Sequence, residues 1–328
     1  MYVSYFFRKR RKNAYSIEHI FEGLSAQIKN EGRMGVRNIE VSSIRDLFTN
    51  IFQARAAQSE VNHITGDIYY IMLGLNKKST VLTIHDCVFR TQYSKWDYKY
   101  WLINWLWYQL PVRRSKVVTT ISEKTKKEVV ELTGIDADKI HIIPNFYDPR
   151  FHFLHKDFNN ECPRILQIGT KANKNLPRII EALKGINCKL DIVGPLDKGV
   201  KQLLKEKSIQ YINNSNIAFN ELQKKYEEAD IVLFISTYEG FGMPIIEANV
   251  TGRPLITSNL SPMTEIAADS AMKVNPYDVL EIRLAVMQLI ADAQLREQLI
   301  KNGLMNAERY NINTVANKYT LLYQSMVS

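Results

Sequence analysis

The sequence predicts an α/β protein built from two doubly wound, Rossmann-like domains. Three observations carry this expectation. Short runs rich in β-branched residues alternate with helical periodicity in both halves of the chain, the pattern of parallel sheets covered on both faces. A length of 328 residues exceeds what one core of ordinary size organises, so two domains are expected. The strongest local signal, Ser236 to Gly252, is a strand, a glycine turn and a helix start in immediate succession, the unit from which such domains are assembled.

Composition bounds the rest. A hydrophobic content of 45% and a charged content of 23% describe an ordinary globular chain. Cys87, Cys162 and Cys188 are scattered and odd in number, with neither metal-ligand spacing nor a disulfide framework, which agrees with a reducing cytoplasm. The first apolar run is brief and is followed by its basic residues rather than preceded by them, so no signal peptide is expected. No apolar stretch reaches the roughly 20 residues of a transmembrane helix. Charge is uneven: residues 1–155 hold 23 Lys+Arg against 15 Asp+Glu, a net of +8, while the remainder holds 20 against 19, a net of +1. The basic half therefore points to a partner of its own.

In chain order, Val3 to Phe7 reads as the first strand and the cations Arg8 to Lys12 as the loop after it. Ser16 is placed to cap a helix on which Ile17, Ile20, Phe21 and Leu24 recur at helical spacing. Strands are expected at Val61–Ile64 and Val81–Ile84, the second ending in His85-Asp86. A histidine at a strand's C-terminal end is well placed, because open α/β sheets bind ligands there, whereas His63 reads equally as a site or a core residue. Lys95 to Leu110 contains all four tryptophans. On a helix Trp96, Tyr100, Ile103 and Trp107 line one face, and Tyr98, Trp101, Trp105 and Tyr108 nearly the opposite one. Such a helix is buried on both sides, or has one face in a core and the other against a partner; aromatics beside Lys95, Lys99, Arg113 and Arg114 also suit a membrane interface. A strand at Val117–Ile121, a helix opened by Ser122-Glu123 and a strand at Ile140–Ile143 complete the half, and Phe146 to Asn160 reads as a linker.

The second half starts afresh with strand Arg164–Ile168, the turn Gly169-Thr170-Lys171-Ala172-Asn173-Lys174, and a helix carrying Ile179, Ile180 and Leu183. Strand Leu190–Val193 with Gly194-Pro195 follows, then a helix from Phe219 through Leu222 and Tyr226, and the buried run Ile231–Ile235. Strands Pro254–Thr257 and Ala271–Val274, helices over 277–291 and 292–310, and a last helix Asn313–Met326 complete the chain. Within Ser236–Gly252, Gly240 and Gly242 give a turn that a ligand can approach closely, and Pro244 suits the first helical turn. Free amides and the helix dipole then make an anion site. Glu239 and Glu247 frame it with seven residues between them, two hydrogen-bond acceptors suited to a ligand with many hydroxyls.

The run Glu239-Gly240-Phe241-Gly242-Met243-Pro244 with Glu247-Ala248 resembles the nucleotide-sugar motif of the family four retaining glycosyltransferases, which have the GT-B fold. The resemblance extends through Gly169-Thr170, Lys174-Asn175-Leu176, His85-Asp86, Ser122-Glu123 and Pro144-Asn145. It implies two Rossmann-like domains facing across a cleft: an acceptor-binding domain at 1–155, a donor-binding domain at 160–310, and a helix at 311–328 crossing back to the first. It implies a nucleoside-diphosphate sugar as donor, a saccharide or lipid-linked acceptor in surface-polysaccharide synthesis, retention of configuration, no enzymic nucleophile and no metal or other cofactor. By the same likeness His85, Lys174 and Glu239 act on the reacting sugar and phosphate. Gly169, Thr170, Lys171, Gly194, Leu222, Gly240, Phe241, Gly242, Met243, Pro244 and Glu247 hold the donor. Two departures stand out: Arg8–Lys12 replaces the glycine-rich loop that relatives often have after the first strand, and Asn173 stands where many relatives have a second phosphate-binding arginine, leaving Lys171 as a candidate. Taken with the basic first half, these features imply a cytoplasmic protein held peripherally at an anionic membrane surface. A nucleotide-sugar epimerase, which uses two such domains, is the alternative; nucleic-acid binding would explain the charge, but no recognised motif accompanies it.

Overall fold

The computed structural model describes residues 1–9, 17–42, 46–92 and 96–327. The chain divides into two compact units, residues 1–146 with 312–328, and residues 147–311.

The strands of the first unit are β1 (Tyr2–Arg8), β2 (Gly35–Val41), β3 (Val61–Ile64), β4 (Thr80–Ile84), β5 (Val117–Thr120) and β6 (Ile140–Ile142). They form a parallel sheet in the order β2-β1-β3-β4-β5-β6. Period-two alternation along β1 sends Val3, Tyr5 and Phe7 to one core and Phe6 to the other, so both faces of the sheet are covered. On the Tyr5 face pack the helices Ile17–Asn30 and Ile312–Val327, through Phe21, Leu24, Ile28, Val315, Tyr319 and Tyr323. The Tyr323 hydroxyl lies 2.8 Å from that of Tyr5 and 2.7 Å from His63 Nδ1, while His63 Nε2 meets the Thr83 hydroxyl at 2.6 Å. Of the two readings of His63, the core one holds: it is fully buried, both ring nitrogens are partnered, and burial pushes its pKa down to about 3.

The aromatic segment departs from a regular helix. It runs as a helix over Tyr98–Ile103, a π-helical turn over Asn104–Gln109 and a short helix over Leu110–Arg114. Tyr100, Asn104 and Tyr108 are buried, with Tyr108 stacked on Phe89 at 4.8 Å. The opposite face, Tyr98, Trp101, Leu102 and Trp105, is exposed. Trp96 precedes the helix and is 98% exposed, so it does not share the Tyr100 face as a continuous helix would require. Of the first unit's cation run, Arg8 is already satisfied by Glu18 at 3.1 Å and Asp67 at 2.9 Å. Lys9 is exposed, and Arg10 to Lys12 lie outside the described residues, as does the expected cap at Ser16.

The strands of the second unit are β7 (Arg164–Ile168), β8 (Lys189–Val193), β9 (Gln210–Asn214), β10 (Ile231–Phe234), β11 (Leu255–Ser258) and β12 (Met272–Val274). They form a second parallel sheet in the order β12-β11-β10-β7-β8-β9. Every residue of β10 is buried, and each such side chain contributes roughly 1.5–3 kcal/mol of burial free energy. The stretch expected to be a linker is instead part of this unit. Phe151 packs edge-on against Phe219 and Tyr226, and Asp230 accepts the backbone amides of Asn159 and Arg164 and pairs with Lys156. The unit boundary therefore falls at Phe146–Tyr147 rather than near 155.

Candidate functional site

In the second unit the chain winds from β7 outward through β8 to β9, and from β10 outward through β11 to β12. The neighbours β7 and β10 thus mark the point where strand order reverses, and the crevice beyond their C-terminal ends is where an open α/β sheet receives a ligand. Both of the turns picked out in the sequence leave from these two strands.

The turn after β7 is shaped by Gly169, whose φ of +86° is costly for any residue with a Cβ. A Cβ there would lie 3.1 Å from the Lys174 methylenes, so the glycine gives that side chain its path. Asn175, also left-handed at φ 62°, then starts the helix Leu176–Leu183. The turn after β10 runs along it: the Thr237 amide donates to the Asn173 carbonyl at 2.8 Å, and Asn173 Nδ2 donates to the Tyr238 carbonyl at 2.9 Å. Gly242 at φ +125° opens the helix Met243–Thr251, with Pro244 in its first turn; a Cβ at Gly242 would press on Ile245 and Phe234 at 3.1 and 3.2 Å.

These turns bring together residues far apart in sequence. Lys174 Nζ pairs with Glu239 Oε1 at 2.7 Å, and Asn173 Nδ2 donates to the same oxygen at 3.2 Å. The Lys174 ammonium also sits 4.7 Å from the centre of the Phe234 ring. A cation and a carboxylate are thus poised beside backbone amides at a helix start, an arrangement able to grip both a phosphate and sugar hydroxyls. Thr170 donates to the Pro195 carbonyl at 2.6 Å and the Gly169 amide to the Val193 carbonyl at 2.8 Å, which ties the Gly194 turn after β8 to the same edge. Lys171 is exposed beside them.

Glu247 lies one turn into the helix. Its Oε2 accepts the hydroxyl of Tyr226 at 2.6 Å, and among the described residues its Oε1 takes no hydrogen bond. Burial pushes its pKa up to about 7; the Tyr226 hydrogen bond lowers it, Asp148 raises it and Lys174 lowers it. The residue as a whole keeps a partly exposed surface. Leu222 sits one turn before Tyr226 on the helix Phe219–Glu228, partly buried. Phe241 turns its ring into the core against Tyr310 at 5.8 Å, so a donor contact at this position would be made by its backbone.

In the first unit His85 follows β4, buried, with Nε2 donating to the Thr65 carbonyl at 2.8 Å. Burial lowers its pKa, so it is a neutral imidazole with Nε2–H fixed. Asn173 and Tyr226 hold the two glutamates, which the spacing of the acidic residues alone does not reveal; Asn173 lies within the Gly169–Lys174 turn, whereas Tyr226 is one aromatic on the helix Phe219–Glu228.

Residues 153–304 match the family model described as glycosyl transferases group 1, and residues 42–151 the model described as glycosyltransferase family 4. The chain is 27% identical over 227 residues to O-antigen chain mannosyltransferase B of Escherichia coli, covering 60% of this chain and 57% of that protein. It is 28% identical over 180 residues to O-antigen chain mannosyltransferase RfbU of Salmonella typhimurium, covering 52% and 50%. The alignments therefore span about half the length of these curated relatives. Among solved structures, Anabaena Alr3699/HepE in complex with UDP and glucose superposes with a TM-score of 0.78 at 13% identity, covering 99% of this chain and 100% of that one. WaaG, a glycosyltransferase involved in lipopolysaccharide biosynthesis, superposes with a TM-score of 0.73 at 15% identity, covering 98% and 99%. At these identities the likeness establishes the GT-B fold.

Proposed function

The chain belongs to the family four glycosyltransferases, and from that membership we propose that it transfers a hexose, with retention, from a nucleoside-diphosphate sugar to a hydroxyl of a lipid-linked saccharide. The observation that carries this reading is the Lys174–Glu239 pair, 2.7 Å apart beside the helix that starts at Met243, at the reversal point of the sheet. Lys174 stabilises the departing diphosphate, assisted by the amides near Gly240 and Gly242, and such preorganised charge usually contributes more to catalysis than any other single effect. Glu239 accepts sugar hydroxyls, and Glu247 accepts the ribose hydroxyls through Oε1. His85 is a neutral imidazole that in this reading contacts the transferred sugar. The bond from the anomeric carbon to the phosphate oxygen breaks and the acceptor oxygen bonds on the same face; the acceptor proton passes to the departing phosphate oxygen. Because Lys174 and the helix start supply the charge, the reaction needs no metal.

The acceptor reading draws on the O-antigen mannosyltransferases among the relatives and on the exposed face of the aromatic helix. Trp101, Leu102 and Trp105 stand out of the first unit, with exposed Lys99 and Arg113 on the same segment. Aromatics at headgroup depth flanked by cations suit an anionic bilayer surface, which supports the reading of a protein held peripherally at the membrane that carries its acceptor.

The test is a panel of nucleoside-diphosphate hexoses incubated with extracted lipid-linked saccharides, with the product's anomeric configuration read by NMR, with and without chelator. The expected outcome is a retained linkage formed at undiminished rate in chelator. An inverted product, or activity lost to chelator and restored by a divalent ion, refutes the mechanism; conversion of the donor without acceptor would make the protein an epimerase.

A further inference from the structure

Tyr226 is the residue on which the geometry of Glu247 depends. Its ring is fully buried on the inner face of the helix Phe219–Glu228 and edge-on to Phe151 at 5.5 Å. The last turn of that helix is pinned by Arg253, whose Nε donates to the Tyr226 carbonyl at 2.8 Å. The hydroxyl is therefore held on a rigid support and has one hydrogen-bond partner in the described structure, Glu247 Oε2 at 2.6 Å. A phenol whose own ionisation burial pushes far up stays protonated throughout the working range, so its O–H is available to donate to the ionised carboxylate. The charged groups that face Glu247 from its other neighbours are Asp148 and Lys174. Asp148 is itself gripped by Arg150, at 2.9 and 2.6 Å. Lys174 is engaged by Glu239 at 2.7 Å, so neither Arg150 nor Lys174 is committed to the Glu247 carboxyl.

We propose that Tyr226 is a positioning residue of the nucleotide site: its hydroxyl, donated to Oε2 at 2.6 Å, holds the Glu247 carboxyl and turns the other oxygen towards the ligand, so that nucleotide affinity runs through this pair. The proposal rests on the reading of Glu247 as a ribose ligand. A ribose hydroxyl donates to the carboxylate, so the ligand selects the ionised form. The Glu247 pKa of about 7 in the unliganded protein then means full affinity above neutrality and a decline as pH falls through that value. Removing the Tyr226 hydroxyl takes away a hydrogen bond that favours the ionised form, which moves the start of the decline to higher pH.

The experiment is calorimetric titration of wild type, Tyr226→Phe and Glu247→Gln with the diphosphates of adenosine, guanosine, cytidine and uridine at pH 6, 7, 8 and 9. Titration of the ligand's own phosphate is common to all three proteins and cancels in affinity ratios. A rise of one unit in the Glu247 pKa makes Tyr226→Phe about tenfold weaker than wild type at pH 6, converging to about 1.1-fold at pH 9. Glu247→Gln is expected to bind weakly with a ratio to wild type that widens as pH rises. A Tyr226→Phe deficit equal at every pH marks a merely structural tyrosine and overturns the proposal, as does an unchanged affinity. A constant ratio for Glu247→Gln shows that another group titrates and also overturns it. If none of the four diphosphates binds wild type at any pH, the nucleotide site itself is wrongly placed, and both readings fall together.

Discussion

Replacing Lys174 tests the centre of the proposed mechanism. The side chain is mostly buried, 19% exposed against 15% for its partner Glu239, and its ammonium is held by a carboxylate on one side and the Phe234 ring on the other. Lys174→Ala removes the point charge on which the departing diphosphate relies, and loss of one such preorganised donor costs about 2.7–4 kcal/mol, or a fall in turnover of roughly 10²–10³. It also removes the ion pair that Lys174 makes with Glu239, at a folding cost of about 1–3 kcal/mol. The assay is steady-state transfer from a saturating nucleoside-diphosphate hexose, with a thermal melt alongside to confirm that the variant is folded at the assay temperature. Lys174→Arg separates charge from shape. The lysine methylenes fill the space in front of Gly169, 3.1 Å from where a Cβ would stand, so a broad guanidinium cannot follow the same path. Arginine is expected to recover at most about a tenth of the lost turnover. Turnover of folded Lys174→Ala within threefold of wild type refutes the role, whatever happens to the melt.

Two further outcomes follow from the first unit. His63 is neutral in the folded protein, with its pKa of about 3 well below the unfolded value near 6.5, so the unfolded chain binds a proton that the folded one excludes. Stability is then complete above about pH 6.5 and falls as pH drops, by about 2–3 kcal/mol at pH 4.5, and His85 adds to the loss in the same direction. Urea unfolding at pH 7 and pH 4.5 measures this; a His63→Gln variant that keeps the full wild-type difference would assign it elsewhere. For the membrane reading, the double variant Trp101→Ser, Trp105→Ser is expected to lose cosedimentation with anionic vesicles at low salt while its melt stays unchanged, since both rings are more than half exposed. Binding of wild type that ignores lipid charge, or that survives the double substitution, removes the bilayer as this face's partner.

What is legible in the sequence follows from where its signals arise. Central parallel strands are buried on both faces and so appear as apolar runs; β4, β5, β7 and β10 are visible this way within a residue or so. Of the four edge strands, β6 and β12 still show as short, mostly apolar runs, whereas β2 and β9 do not, because on a half-solvated edge their polar and apolar positions are mixed. Gly35-Val36-Arg37-Asn38-Ile39-Glu40-Val41 mixes polar and apolar positions, and Gln210–Asn214 has no fully buried residue at all. The aromatic segment departs from its expected faces for other reasons: Trp96 lies before the helix begins, and Tyr108, expected beside Trp101 and Trp105, falls instead on the buried face at the end of a π-helical turn. A π-helical turn alters the angular step between residues, and a projection at 100° per residue has no way to contain that change.

The site divides along the same line. The strand, glycine turn and helix after β10 are local, and local chemistry shows in local sequence: Gly242 has the left-handed backbone and Pro244 the first turn that their types suggest. The pairing of Lys174 with Glu239 is not local, since 65 residues separate them and only the adjacency of β7 and β10 joins their turns. Resemblance names both residues without saying that they meet. The same is true of Tyr226, which in sequence is one aromatic on an ordinary amphipathic helix and in the structure is the only described donor to the Glu247 side chain. Each glutamate of the motif is thus supported by a residue from outside it, Asn173 for Glu239 and Tyr226 for Glu247. A motif fixes which groups meet the ligand, and the sheet order decides which neighbours set their charge and direction. For this chain the second kind of information places one cation against one carboxylate at the reversal point. The substitution of asparagine for the second cation is then intelligible: Asn173 directs its side-chain amide to the turn that carries Glu239, donating to the Tyr238 carbonyl and the Glu239 carboxylate, which holds the acid in place without adding charge.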